Sequence, residues 1–151
     1  MDNENSIANE VREKYGRDIV ALSAYIPYFA DRGKKDVQKS YDGQQGESCI
    51  PFPVFDSTLL QFVKKARNTA LMDRNYPYVY RRYRIRTPKD ERKAIERAGI
   101  RDVDLLKGIL SRYVLEGQRK ATRWGEGVEE RIYYNVLSKL KELMDFYKSK
   151  S

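Results

Sequence analysis

Apolar residues recur along this chain at helical rather than strand spacing. Ile7, Val11 and Tyr15 stand four residues apart and Gly16 follows where helices commonly stop, so a first helix is predicted to end there. A second is expected from Asp18, a capping residue, with Ile19, Leu22 and Ile26 on one face and Pro27 ending or kinking it through its missing amide hydrogen. Asp56 or Ser57 opens the next, in which Leu59, Phe62, Val63, Ala66 and Ala70 form one stripe opposite Lys64, Lys65 and Arg67. Tyr76, Val79, Tyr80 and Tyr83 repeat the helical period, and Asn75 and Pro77 suit a helix start, which favours helix over strand for 76–86.

Further along, Thr87-Pro88 with Asp90 and Glu91 in the first turn and Gly99 after Ala98 bracket a short helix. Asp102 caps another, with Val103, Leu106, Leu110 and Tyr113 aligned, Gly117 as its stop and Gly108 permitting close helix packing. The last helix is expected from Val128 to Lys148, its face formed by Val128, Ile132, Val136, Leu140, Leu143 and Tyr147 and widened by Leu137 and Met144. Residues 31–53 keep no apolar period and contain Gly33, Gly43, Gly46, Pro51 and Pro53, which predicts one long irregular loop. Ile50-Pro-Phe-Pro-Val-Phe55 is apolar enough to dock on the core as an extended stretch, and a short hairpin within 31–55 stays open. The expectation is one domain over 1–151, all-α, a small orthogonal bundle of five to seven helices.

Composition narrows the chemistry. Hydrophobic residues make up 40% of the chain and charged residues 34%, polar for a globular domain but apolar and aromatic enough to fold. No run approaches the roughly 18–20 apolar residues of a membrane span, and the first ten residues lack the pattern of a secretory signal, so a cytoplasmic protein with no membrane partner is expected. Histidine is absent, which removes the commonest general base, the commonest zinc ligand and the histidine-containing triads. The single cysteine, Cys49, forms no internal disulfide; without a histidine partner and with Glu47 nearby it reads as an ordinary small residue rather than a nucleophile. Glu126, Glu129 and Glu130, like Asp102 and Asp104, sit where a helix dipole favours carboxylates without any ligand, so no metal and no cofactor is expected. Gly125-Glu-Gly127 lacks the strand and lysine of a phosphate-binding loop, and with Trp124 it reads as a turn whose aromatic acts as a wedge.

Charge changes the picture most. The chain carries a net +8, and residues 74–101 hold ten Lys and Arg against three Asp and Glu, a surplus of seven. Arg81, Arg82, Arg84 and Arg86 interleave with Tyr76, Tyr78, Tyr80 and Tyr83, a pattern in which guanidinium groups grip phosphates and aromatic faces stack bases. The candidate nucleic-acid-binding set is Arg74, Arg81, Arg82, Arg84, Arg86, Lys89, Arg92 and Lys93, with Tyr78 for stacking and Arg119, Lys120 and Arg123 as an extension if the fold brings that turn alongside. Against it stands the plainer reading, tyrosines filling the core and arginines forming a solvated face. No base-reading module is present, so a DNA or RNA partner is expected to be held by phosphate contacts with low sequence specificity, by a non-enzymatic accessory protein, with a metal-dependent hydrolase a distant alternative. The alternative partner is an acidic protein, met by the same charges or by an exposed helix face. Oligomeric state has no signal in the sequence.

Ala24-Tyr-Ile-Pro-Tyr-Phe29, Thr122-Arg-Trp-Gly-Glu-Gly127 and Leu137-Ser-Lys-Leu-Lys-Glu-Leu143 together resemble a bacterial and phage family of domains of unknown function. That family pairs a YIPYF-like start with a late Arg-Phe-x-x-Gly turn and a Leu-rich C-terminal helix. Trp124 replaces the usual phenylalanine, and the Tyr/Arg-rich middle departs from the pattern. The resemblance implies a bacterial or phage source and brings no activity, substrate or cofactor with it.

Overall fold

A computed structural model describes residues 3–30, 38–41 and 52–148. Helix α1 (Asn3–Ser23) runs through Gly16 without a break. Ala8, Val11, Ile19 and Leu22 along it are all buried, and that stripe outweighs the roughly 1 kcal/mol cost of a glycine inside a helix. Asp18 therefore caps nothing of its own; its carboxylate accepts the Ala70 amide at 2.9 Å. Pro27 is the second residue of α2 (Ile26–Ala30), where its missing amide hydrogen costs no helical bond, so it starts a helix instead of ending one.

The segment expected as a long loop contains β1 (Gln38–Tyr41) and β2 (Phe52–Phe55), paired antiparallel with Gln38 opposite Phe55 and Tyr41 opposite Phe52. Cys49, and the side-chain docking expected of 50–55, lie outside the described residues. Helix α3 (Ser57–Arg67) starts on the Asp56 carboxylate, which accepts the Thr58 amide at 3.2 Å, and buries Leu59, Phe62, Val63 and Ala66. It stops before Ala70, which is exposed rather than part of the stripe. Helix α4 (Tyr76–Arg82) ends four residues earlier than the spacing predicts.

Helix α5 (Pro88–Arg97) opens on the full reciprocal cap between Thr87 and Asp90. After a single 3-10 turn (Ile100–Asp102) comes α6 (Val103–Glu116), the most buried helix of the bundle. Asp102 does not cap α6 forward; its carboxylate reaches back to the Gly99 amide at 2.8 Å. The expected single last helix is two, α7 (Thr122–Glu129) and α8 (Ile132–Lys148), separated at Arg131, which takes φ 64. Val128 thus belongs to α7, and Gly125 and Gly127 lie within a helix rather than a turn. Trp124 is the wedge foreseen: its indole N–H donates to the Val114 carbonyl at 3.0 Å and its ring fills the space a side chain on Gly117 would need.

Eight α-helices among the described residues form the bundle. Its centre is aromatic: Phe29, Phe62 and Tyr133 meet with ring centroids 4.9–5.2 Å apart, and Tyr113 approaches Tyr133 edge-on at 6.3 Å. Helices α1 and α8 run antiparallel, with Tyr147 donating to Glu4 at one end and Arg12 to the Met144 carbonyl further along. Among the described residues no helix is long and apolar enough to cross a membrane.

Candidate nucleic-acid interface

Helix α4 lies antiparallel on α6, because its tyrosines meet α6 and the turn before it in descending order: Tyr76 near Glu116, Tyr80 at Arg112, Tyr83 at Asp102. Close approach is possible because α6 has Gly108 under Val79; a Cβ there would lie 2.8 Å from a Val79 methyl. Three of the four interleaved tyrosines therefore face the protein, as the plainer reading required. Tyr78 does not, and is 51% exposed.

Below α4 sits a buried carboxylate. Glu91 is 0% exposed, and it accepts hydrogen bonds from the Tyr80 hydroxyl (2.5 Å), the Tyr113 hydroxyl (2.5 Å) and the Arg112 guanidinium (2.8 Å). One side chain of α5 is thereby tied to α4 and α6 at once. Burial, reinforced by the Glu91 charge and hydrogen bonds, pushes both phenols well above the ordinary tyrosine range. Burial works against the charge of Arg112, but Tyr80 and Glu91 outweigh it and the guanidinium is held more firmly charged than usual. In sequence Glu91 reads as a first-turn acid; the signal that could have found its role is Arg112 beside Tyr113 in the most apolar helix.

The outer side carries the cations. Arg74, Arg81, Arg82, Arg84, Arg86, Lys89 and Lys93 are exposed, and none has a carboxylate within ion-pair distance among the described residues. The nearest acid in sequence, Asp90, is turned back onto the backbone, accepting the Arg86 and Thr87 amides at 3.0 and 3.3 Å. Those two bonds hold its pKa below the ordinary carboxylate value. Tyr78, Arg81 and Arg82 stand at i, i+3 and i+4, on one face of α4.

Two of the expected contacts drop out. Arg92 is spent on Glu130, 2.7 Å away across the bundle. Arg123 lies between Glu116, whose Oε1 is 3.0 Å from its Nε without hydrogen-bond alignment, and Glu126. Of the proposed extension, Arg119 and Lys120 remain exposed, and Arg119 does come alongside: with Arg74, Tyr76, Leu115 and Gln118 it lines a cleft of about 430 Å³ between α4 and α6.

The chain reverses from α4 to α5 at Arg84, which takes φ 58. The Arg84 amide donates to the Arg81 carbonyl at 3.2 Å and the Ile85 amide to Tyr80 at 2.9 Å, the bond pair that closes a helix through a left-handed residue. Glycine is the usual occupant of that position. Here it is an arginine whose guanidinium makes no hydrogen bond or ion pair among the described residues.

A larger apolar groove of about 720 Å³ runs between α1 and α8, lined by Ile19, Val20, Ala24 and Met144 with Arg12, Arg17 and the Lys141–Asp145 ion pair (2.8 Å) around it. Val20 there is 73% exposed. No three His, Cys, Asp or Glu residues among those described are placed to hold a metal ion. Comparison of the chain with family models, with characterised proteins and with solved structures finds no match in any of the three.

Proposed function

We propose that this protein binds nucleic acid through its phosphates, with low sequence specificity, at the corner between α4 and α5, as an accessory protein rather than an enzyme. The observation that carries the reading is a density of charge: Arg81, Arg82, Arg84, Arg86, Lys89 and Lys93 are exposed in and around the turn between α4 and α5, and none has a carboxylate within ion-pair distance among the described residues. Such a field attracts polyanions, and the Glu91 clamp beneath keeps the corner rigid enough to present it without further ordering.

Fluorescence anisotropy with labelled single- and double-stranded DNA and RNA, at 50 and 200 mM salt, tests it. If about four phosphates are neutralised, affinity is expected to fall roughly a hundredfold between those salt concentrations. Arg82→Glu with Arg86→Glu is expected to weaken binding to all sequences alike. Absence of binding at the lower salt removes the proposal.

The apolar groove between α1 and α8 favours a second reading, an acidic amphipathic helix of another protein docked there. Its exposed Val20 and the Arg17 charge on its rim, which has no ion-pair partner among the described residues, complement such a helix. A synthetic acidic amphipathic peptide should then bind saturably and lose affinity to Val20→Asp with Arg17→Asp. A protein that shows neither effect has no such site.

A further inference from the structure

We infer that the cleft between the start of α4 and the end of α6 seats one unstacked nucleotide of a single strand, its phosphate gripped by Arg74 and Arg119 and its base against Tyr76 and Leu115. This rests on the nucleic-acid reading above and gives it a polarity, single strand over duplex. The cleft measures about 430 Å³, within the range of small-ligand pockets, and it admits a base that has left its stack but not a duplex.

Its chemistry is divided as a nucleotide needs. Arg74 and Arg119 are both exposed cations with no carboxylate within ion-pair distance among the described residues. Of the acids nearby, Glu116 faces Arg112 at 3.6 Å and Arg123 at 3.0 Å, and Asp73 accepts the Asn75 amide at 2.8 Å. Glu116 lies near the Tyr76 hydroxyl and, after burial, helps to raise its pKa above the ordinary tyrosine value. Tyr76 and Leu115 are each half-buried and give apolar surface, while the Gln118 amide supplies both a donor and an acceptor at the rim. An amide that offers both suits tolerance of several bases rather than selection of one.

The cleft opens at the start of α4, and exposed cations stand at the other end of the same helix. Helix α4 has seven residues and so spans roughly 10 Å. Arg74 and Arg119 stand at its start and Arg81, Arg82 and Arg84 at its end; the exposed Tyr78 is between them along the axis but on the outer face, away from that of Tyr76. Phosphate contacts at two ends with an aromatic face between them describe a track for a single strand. A duplex hides its bases and would leave both Tyr78 and the cleft unused.

The experiment compares labelled oligothymidine and oligouridine, the same lengths as duplexes, and an oligomer of abasic sugar phosphates, by anisotropy at low salt. Wild type is expected to bind the single strands about tenfold more tightly than duplex or abasic strand. Leu115→Trp, which fills the cleft without changing charge, and Arg119→Gln, an exposed substitution that keeps the test open should the first variant fail to fold, are both expected to remove that preference and leave duplex affinity within twofold. Equal wild-type affinity for base-bearing and abasic strands, or a preference that survives Arg119→Gln, overturns the inference while leaving the corner between α4 and α5 as the binding surface. No wild-type binding to any of the four overturns the proposed function itself.

Discussion

Arg84 and Arg131 are the two non-glycine residues with positive φ among those described, at 58° and 64°, and each follows the end of a helix where glycine is usual. A left-handed conformation costs an L-residue about 1–2 kcal/mol. At Arg131 the side chain offsets it inside the fold: the guanidinium donates to the Phe29 and Ala30 carbonyls at 3.1 and 2.6 Å, closing the end of α2, and stacks 4.4 Å over Tyr134. At Arg84 no side-chain bond among the described residues does so; the backbone bonds would form as well around glycine, and the side chain is exposed beside five other cations of that corner. The same strain is thus compensated by the protein at one corner and left uncompensated at the other. Under the proposed function, the Arg84 guanidinium, with no hydrogen-bond or ion-pair partner among the described residues, is a group that a phosphate would engage.

The largest test of that contrast removes what holds the Arg84 corner from beneath. Glu91→Ala leaves the Tyr80 and Tyr113 hydroxyls without their acceptor and Arg112 with Glu116 alone, 3.6 Å away, and is expected to cost about 3–5 kcal/mol in urea unfolding. A loss under about 1 kcal/mol, the range of exposed pairs, would show that the corner does not depend on the clamp. Next in size is Arg131→Ala, which keeps the left-handed strain and loses two charge-assisted bonds, for about 2 kcal/mol. Arg84→Ala, measured in the same way, is expected to change stability by less than about 0.5 kcal/mol. Equal losses at the two positions would erase the distinction between them.

The two corners differ in how far they could be read from the sequence. The cap of α5 was fully legible, because Thr87, Pro88 and Asp90 signal a helix start within four residues. So was the amphipathic face of α3, and the surplus of charge in 74–101 needed only counting. What failed was long-range. Gly16 looks like a stop until Ala8, Val11, Ile19 and Leu22 are found buried as one stripe, and the break at Arg131 depends on carbonyls about a hundred residues earlier in the chain. The same limit acts on the site. Arg92 and Arg123 look like their neighbours until Glu130 and Glu116 are folded against them, and Glu91 looks like a first-turn acid until Tyr80 and Arg112 close over it. Local signals specify which cations exist; only tertiary contacts decide which stay uncompensated.

Arg84→Gly sharpens the comparison further because its two effects have opposite sign. Relief of the left-handed strain is expected to raise stability by about 1 kcal/mol, with the helix-closing bonds intact. Loss of one phosphate contact is expected to lower nucleic-acid affinity at all sequences and to reduce the salt slope by about one. Arg131→Gly gains the same relief but loses its two carbonyl bonds, so its stability falls while its salt slope is unchanged. An Arg84→Gly protein that is more stable and binds as tightly as wild type would mean that the strained arginine serves no phosphate.

The smallest effect is one of pH, and it concerns the acid beside Arg84. Asp90 is held below the ordinary carboxylate pKa, first by the Arg86 amide and then by that of Thr87. A depressed folded-state value contributes stability that is fully present above the unfolded pKa of about 3.9 and is lost as pH falls through the folded one. Asp90→Asn has no such titration, so the difference in unfolding midpoint between wild type and variant should be constant from pH 5 upward to neutrality and should shrink below about pH 4. The difference should not depend on salt as nucleic-acid binding does, because the carboxylate is engaged by amides and not by the guanidinium groups around it. A gap that instead closes on adding salt at neutral pH would reveal Asp90 as a partner of the Arg84 corner, and its cations as partly neutralised by the chain that carries them.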